Sequence, residues 1–166
     1  MKIRMGWVSN SSSSSFVVSF HTNPKTAAEV REQMFGKQKY HDGHDTMAIA
    51  EDVFRQMQNG TAKKEDVFRS IHGGYFSPYK GLPGYFDTWE ITRGLEYGSV
   101  AYQEAQAKGD DFNNKHANAI VEKFMKENDG RTLYVFSYAD EDGEWGSMME
   151  HSGIFDNLPH IQTSYH

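Results

Sequence analysis

The densest run of side chains able to do chemistry lies near the carboxyl end. Asp140, Glu141, Asp142 and Glu144 crowd a turn, Glu150 and His151 are adjacent, and Asp156, His160 and His166 follow. Carboxylates and imidazoles together suit a divalent metal ion and can also move protons. The spacing matches no standard ligand motif such as HExxH. Glu150, His151 and His160 are the candidate catalytic residues, and His151, Asp156 and His160 the candidate ligands of a divalent metal. Near the amino end, Asn10 introduces five serines, Ser11, Ser12, Ser13, Ser14 and Ser15. Small hydroxyls and exposed amides in a loop can cradle a phosphate or another anion. Serines of a plain surface connection instead bond their own backbone. Asn10 and the five serines are the candidate ligand-binding residues. No Gly-Lys pair follows them, so this is not a Walker-type phosphate loop.

Two further segments carry candidate residues. His41 and His44 stand three apart with Asp42 and Asp45 beside them, a spacing at which two imidazoles can share a metal. The same Asp and Gly43 are ordinary helix-opening and turn residues. Residues 72–87 are rich in Gly and Pro and hold Tyr75, Phe76, Tyr79, Tyr85 and Phe86. Such a loop is a lid, a partner-binding patch, or a connection pinned to the core by its rings. Tyr75, Phe76, Tyr79 and Tyr85 are the candidate interaction residues. There is no cysteine, which removes disulfides, thiolate zinc sites and cysteine nucleophiles.

The elements that must position these groups follow from pattern. "KIRMGWV" and "FVVSF" predict two amino-terminal strands with the serine run as their connection. Thr26 and Glu29 form a capping-box pattern ahead of a helix that Gly36 stops. A second helix is expected over residues 45–57 with Met47, Ala50, Phe54 and Met57 inward, and a short third through Val67, Phe68 and Ile71. Ile91, Leu95, Gly98, Tyr102 and Ala105 step by 4, 3, 4 and 3, which predicts one long helix from Asp87 to a stop at Gly109. Another helix spans residues 113–127, with Ala117, Ile120, Val121, Phe124 and Met125 inward. "RTLYVFSY" is the strongest strand, and the Asp-Gly turn after it predicts "WGSMMEH" as its hairpin partner. The tail, "SGIFDNLPHIQTSYH", reads as irregular but keeps Ile154, Phe155, Leu158 and Ile161 and is expected to pack down. The chain therefore reads as one α+β domain over residues 1–166: a small, mostly antiparallel sheet of amino-terminal strands and a carboxy-terminal hairpin, packed with about five helices.

Composition bounds the function class. The 166 residues are 37% apolar and 14% aromatic, too rich in large apolar groups for a disordered chain. The net charge of -6 and the lack of a basic stripe argue against nucleic acid as a partner. No stretch approaches the ~18 apolar residues of a membrane span. No signal-peptide core follows Lys2 and Arg4. The expected location is a cytoplasm.

The opening "MKIRMGWVSNSSSSSFVV" resembles the start of a scattered group of uncharacterised phage and bacterial proteins. These begin with a short basic strand, then Gly, an aromatic residue, Val-Ser-Asn, and a serine run closed by Phe. Gly6, Trp7, Val8, Ser9, Asn10, Ser11 to Ser15 and Phe16 stand at those positions here, with Trp7 where the group favours Phe. The acidic turn, Glu150-His151 and closing His166 are similar to endings in the same group. The resemblance covers about a quarter of the chain. It implies phage or prokaryotic origin, and so a host-cell cytoplasm or a virion, and carries no mechanism.

Two functional expectations result. The first is a small phage-type accessory protein that binds a host or virion protein partner through the aromatic loop. The second is a metal-dependent hydrolase or phosphoryl-transfer enzyme whose site joins the serine loop to the Glu/His cluster. In that second reading His151 acts as base, Glu150 as ligand or orienter, and Ser15 or Ser11 as the less favoured nucleophile. It requires serines, Glu150, His151 and His160 to meet across one sheet.

Overall fold

The computed structural model describes residues 13–139 and 143–165. The first expected strand, Asn10, Ser11, Ser12, Asp140, Glu141, Asp142 and His166 lie outside the described residues. The rest is an α+β fold with a four-stranded antiparallel sheet and a separate two-stranded hairpin. In chain order the elements are β1 (Ser13–Phe20), α1 (Ala27–Phe35), β2 (Tyr40–His41), β3 (His44–Asp45), α2 (Thr46–Met57), α3 (Lys64–Ile71), β4 (Tyr75–Phe76), α4 (Trp89–Thr92), α5 (Val100–Glu127), β5 (Thr132–Ala139), α6 (Gly143–His151) and β6 (His160–Tyr165).

The main sheet runs β4-β6-β1-β5, with β1 paired antiparallel to both β5 and β6. β1 is buried on both faces from Ser14 to Phe20, which explains its unbroken Phe-Val-Val core. Strand alternation then divides the molecule. Phe16, Val18 and Phe20 join Tyr134, Phe136 and Tyr138 of β5 beneath α1, α2 and α6. Val17, Leu133 and Ile161 face the other way, beneath α3 and the carboxy-terminal half of α5. The sheet is thus the middle of three layers.

Local signals account for several elements. Thr26 Oγ1 accepts from the Glu29 amide at 3.2 Å, and Glu29 reciprocates by accepting from the Lys25 amide. Asp45 caps α2 through the Met47 amide at 2.7 Å. Asp42 and Gly43 both have positive φ, the geometry of a two-residue hairpin turn, so "HDGHD" is the tip of β2-β3.

The structure corrects three expectations. "WGSMMEH" is helical, as part of α6, and the strand that returns beside β1 is "HIQTSY". Ser13, Ser14 and Ser15 belong to β1 and are not part of a connecting loop. The long helix from Asp87 to Gly109 is instead the single turn of α4, a break at Gly94 and Gly98, both with positive φ, and then α5. Gly109 does not stop a helix. It sits buried within α5, where a Cβ would lie 2.3 Å from Thr88 Cγ2, so its missing side chain lets α4 lie against α5.

Candidate functional site

β1 brings Ser14 to the α6 face, where its Oγ donates to Glu150 Oε1 at 2.8 Å. Gln162 Nε2 of β6 donates to the same serine at 3.3 Å, and Ser164 Oγ lies 3.4 Å away. Glu150 Oε2 has no hydrogen-bond partner among the described residues and lies 3.6 Å from His151 Nε2. Serine from one end and the Glu-His pair from the other therefore do meet. Their exposure decides what they can do. Ser14 is 1% and Glu150 3% exposed, so no substrate reaches the hydroxyl. Ser15 is buried as well, its Oγ 3.4 Å from the Phe136 carbonyl. Pairing of β1 on both sides occupies the backbone that an anion nest would need. The arrangement suits a buried polar strut, because a buried carboxylate is tolerated only when bonded or paired.

His160 does not join this group. It pairs with Val18, four residues along β1 from Ser14, or about 13 Å at strand spacing. Its Nδ1 lies 3.0 Å from the Leu158 carbonyl. Asp156 is in the turn after Gly153, its amide bonded to the Gly153 carbonyl at 3.0 Å. Among the described residues, no three His, Asp or Glu side chains form a group that could hold a metal ion. The expected ligand trio of His151, Asp156 and His160 is therefore not assembled. The same holds at "HDGHD": His41 Nε2 lies 2.7 Å from the Ser152 carbonyl and the His44 ring packs edge-on against Trp145 at 5.4 Å. These contacts dock the hairpin on α6. A pocket of about 460 Å³ between them is lined by Asp42, His44, Glu144 and His151.

The aromatic loop is strapped to α5. Asn113 accepts from the Phe86 amide at 2.7 Å and donates to the Phe86 carbonyl at 2.9 Å. Tyr79 OH and Lys80 Nζ both donate to Glu127, at 2.9 and 2.6 Å, and Lys123 Nζ donates to the Lys80 carbonyl. The hydrogen bond from Lys80 is the main reason Glu127 is held below the ordinary carboxyl range and Lys80 above the ordinary ammonium range. Burial, then the bond to Glu127, raises Tyr79. Phe76 is buried, Tyr79 packs edge-on against Phe124, and Tyr85 meets Phe76 edge-on and Tyr75 at a tilt. Of the four predicted interaction residues only Tyr75 is exposed.

The apolar surface lies next to that loop. Among the described residues eight large apolar side chains are exposed, and six of them fall within 89–112: Trp89, Ile91, Leu95, Tyr97, Val100 and Phe112. Tyr97 is 86% and Val100 72% exposed. Every buried residue of α5 lies at or beyond Gly109, so its first nine residues, roughly 13 Å of helix, take no part in the core. Sequence reasoning missed this surface because it read Ile91 and Leu95 as the inner face of one continuous helix. The signal was present in "GLEYGS", where two glycines four apart mark a break.

Among the described residues no helix is long and apolar enough to cross a membrane. Comparison with protein-family models, curated proteins and solved structures finds no match.

Proposed function

We propose that this chain is an accessory protein that acts by binding a protein partner through the arm formed by α4, the Gly94–Gly98 break and the first turns of α5. The observation that carries the reading is the concentration of exposed Trp89, Leu95, Tyr97 and Val100 on one short segment. Single exposed apolar residues are ordinary, whereas clustered ones mark contact surfaces, and Trp and Tyr are the residues that most often anchor them.

Charge selects the kind of partner. Residues 86–112 carry Asp87, Glu90, Glu96, Glu104, Asp110 and Asp111 against only Arg93 and Lys108. Two copies of this arm would repel each other, and a partner with an apolar cleft rimmed by Lys and Arg would be attracted. The likeness of the opening segment to phage and bacterial proteins favours a bacterial or virion protein in that role.

A photo-crosslinking residue in place of Tyr97, in bacterial cells making the chain, tests this. The expected product is one discrete adduct with a protein that, once purified, binds less well as salt rises. Trp89→Ser with Val100→Ser should weaken that binding at least about tenfold without moving the unfolding midpoint. An adduct only with a second copy, no adduct, or unchanged affinity in the double variant overturns the reading.

A further inference from the structure

The face of β1 opposite Glu150 changes character within one register step. Val17 pairs with Val135 and Ile161 and belongs to the apolar core. Two residues earlier, Ser15 pairs with Ser137 and Thr163, and beyond it Ser13 pairs with Ala139 and Tyr165. All of these share one face, because antiparallel Cα partners point the same way. Under a covering helix that position ordinarily takes Val or Ile, which fill the space and favour strands. Here small hydroxyl residues leave a cavity of about 510 Å³ between the sheet end and α3, within the size range of small-molecule sites.

Its walls are specific. Ser13, Ser15 and Ser137 form the floor, and Asp66, Arg69 and Ser70 of α3 face it. Arg69 and Asp66 stand 3.9 Å apart, both with exposed side chains, so both remain able to bond a ligand.

We propose that this cavity binds a neutral polyhydroxyl compound, of mono- or disaccharide type. The hydroxyls of Ser13 and Ser137 can each donate and accept, as sugar hydroxyls do, while buried Ser15 serves as floor. Asp66 accepts from a ligand O–H and Arg69 donates to a ligand oxygen. The apolar flank of Val135 and Ala62 suits a sugar's C–H face. A phosphate fits less well: the single guanidinium is offset by the carboxylate beside it, and the β1 amides are committed to the sheet. The site is separate from the arm and does not rest on its role.

The test is a two-dimensional amide NMR titration of the full chain with trehalose, maltohexaose and inorganic phosphate. Either saccharide should give saturable shifts at Ser13, Ser15, Asp66, Arg69 and Ser137, with a Kd in the millimolar range of about 1–10 mM. Trehalose binding identifies a free small sugar, and binding of maltohexaose alone identifies a polysaccharide chain. Ser137→Leu, which fills the cavity from an exposed position, and Arg69→Ala should each raise Kd at least about tenfold while distant amide signals stay in place. Non-saturating shifts, shifts that survive both substitutions, or a response to phosphate alone would overturn the proposal.

Discussion

Gly109→Ala tests whether α4 is locked to α5 by close approach. Alanine in place of a helical glycine ordinarily gains about 1 kcal/mol. At this site the new methyl would lie 2.3 Å from Thr88 Cγ2 and 3.3 Å from Thr88 Cβ. Carbon atoms sit at roughly 3.5 Å or more, so the threonine methyl must retreat by about 1.2 Å. Overpacking of this kind costs about 1–3 kcal/mol, so the variant should lie between neutral and about 2 kcal/mol less stable. Thr88→Ser removes Cγ2 and leaves only the tolerable 3.3 Å contact. In that background the same Gly109→Ala change should stabilise by up to about 1 kcal/mol. The coupling between the two positions should therefore be about 1–3 kcal/mol by urea unfolding of the four proteins. Hydrogen exchange gives a local readout: the amides of Ile91, Thr92 and Arg93, bonded within the α4 turn, should exchange faster in Gly109→Ala alone. If Gly109→Ala stabilises equally with Thr88 or without it, and these amides stay protected, the close-approach account is refuted.

Three further outcomes follow from the same structure. Ser14→Ala leaves Glu150 Oε1 without its donor and should cost about 1–3 kcal/mol; paired with Glu150→Gln the losses should be non-additive by at least about 0.5 kcal/mol in chemical unfolding, and full additivity would mean the bond is idle. Glu127 has a depressed carboxyl, so its contribution to anchoring the aromatic loop is complete above the unfolded value near 4.3 and is lost as pH falls through the folded value, while that of Lys80, whose pKa is raised, is complete below the unfolded value of about 10.4 and is lost as pH rises through the higher folded value; exchange of the Leu82 amide should quicken at both extremes, and Glu127→Gln should remove the acid limb. Gly74→Ala would put a methyl 2.3 Å from Thr163 Cγ2 and 3.0 Å from the Ser164 carbonyl, so it should detach β4 from β6 and cost about 1–3 kcal/mol; a wild-type Phe76 amide environment in its NMR spectrum would contradict this.

Where local chemistry and long-range packing agree, the fold could be read from sequence. Thr26, Asp45 and the apolar stripe of Ala117, Ile120, Val121 and Phe124 act as expected, because caps and helical periodicity are settled within a few residues. Ser13 to Ser15 could not be read, since serine favours turns locally and only the pairing with β5 and β6, far along the chain, draws it into a strand. β6 hid for a related reason: in "HIQTSY" Ile161, Thr163 and Tyr165 alternate with polar partners that face the Ser14 side. Gly109 was misread because a glycine that ends a helix and one that admits a neighbour are the same letter. Of the site residues, the Ser14–Glu150 contact was anticipated. Its burial was not, and burial decides that it supports the fold and does not attack a substrate.

Burial also separates the surfaces that remain for function. Covering β1 on both faces uses α1, α2, α6, α3 and the last half of α5, and leaves the first turns of α5 outside the core. A bare helical arm of that kind would ordinarily lose freedom on binding, at about 0.5–1.5 kcal/mol for each immobilised side chain. Two features reduce that loss in advance. Asn113 clamps the Phe86 backbone from α5, and the Gly109 gap seats Thr88 directly against α5. Trp89 is thus presented from a fixed turn although it is itself exposed. If that rigidity serves recognition, Gly109→Ala should weaken partner binding without touching the interface, and adding Thr88→Ser should restore it. A merely structural role for Gly109 would leave the affinity unchanged while the stability moves.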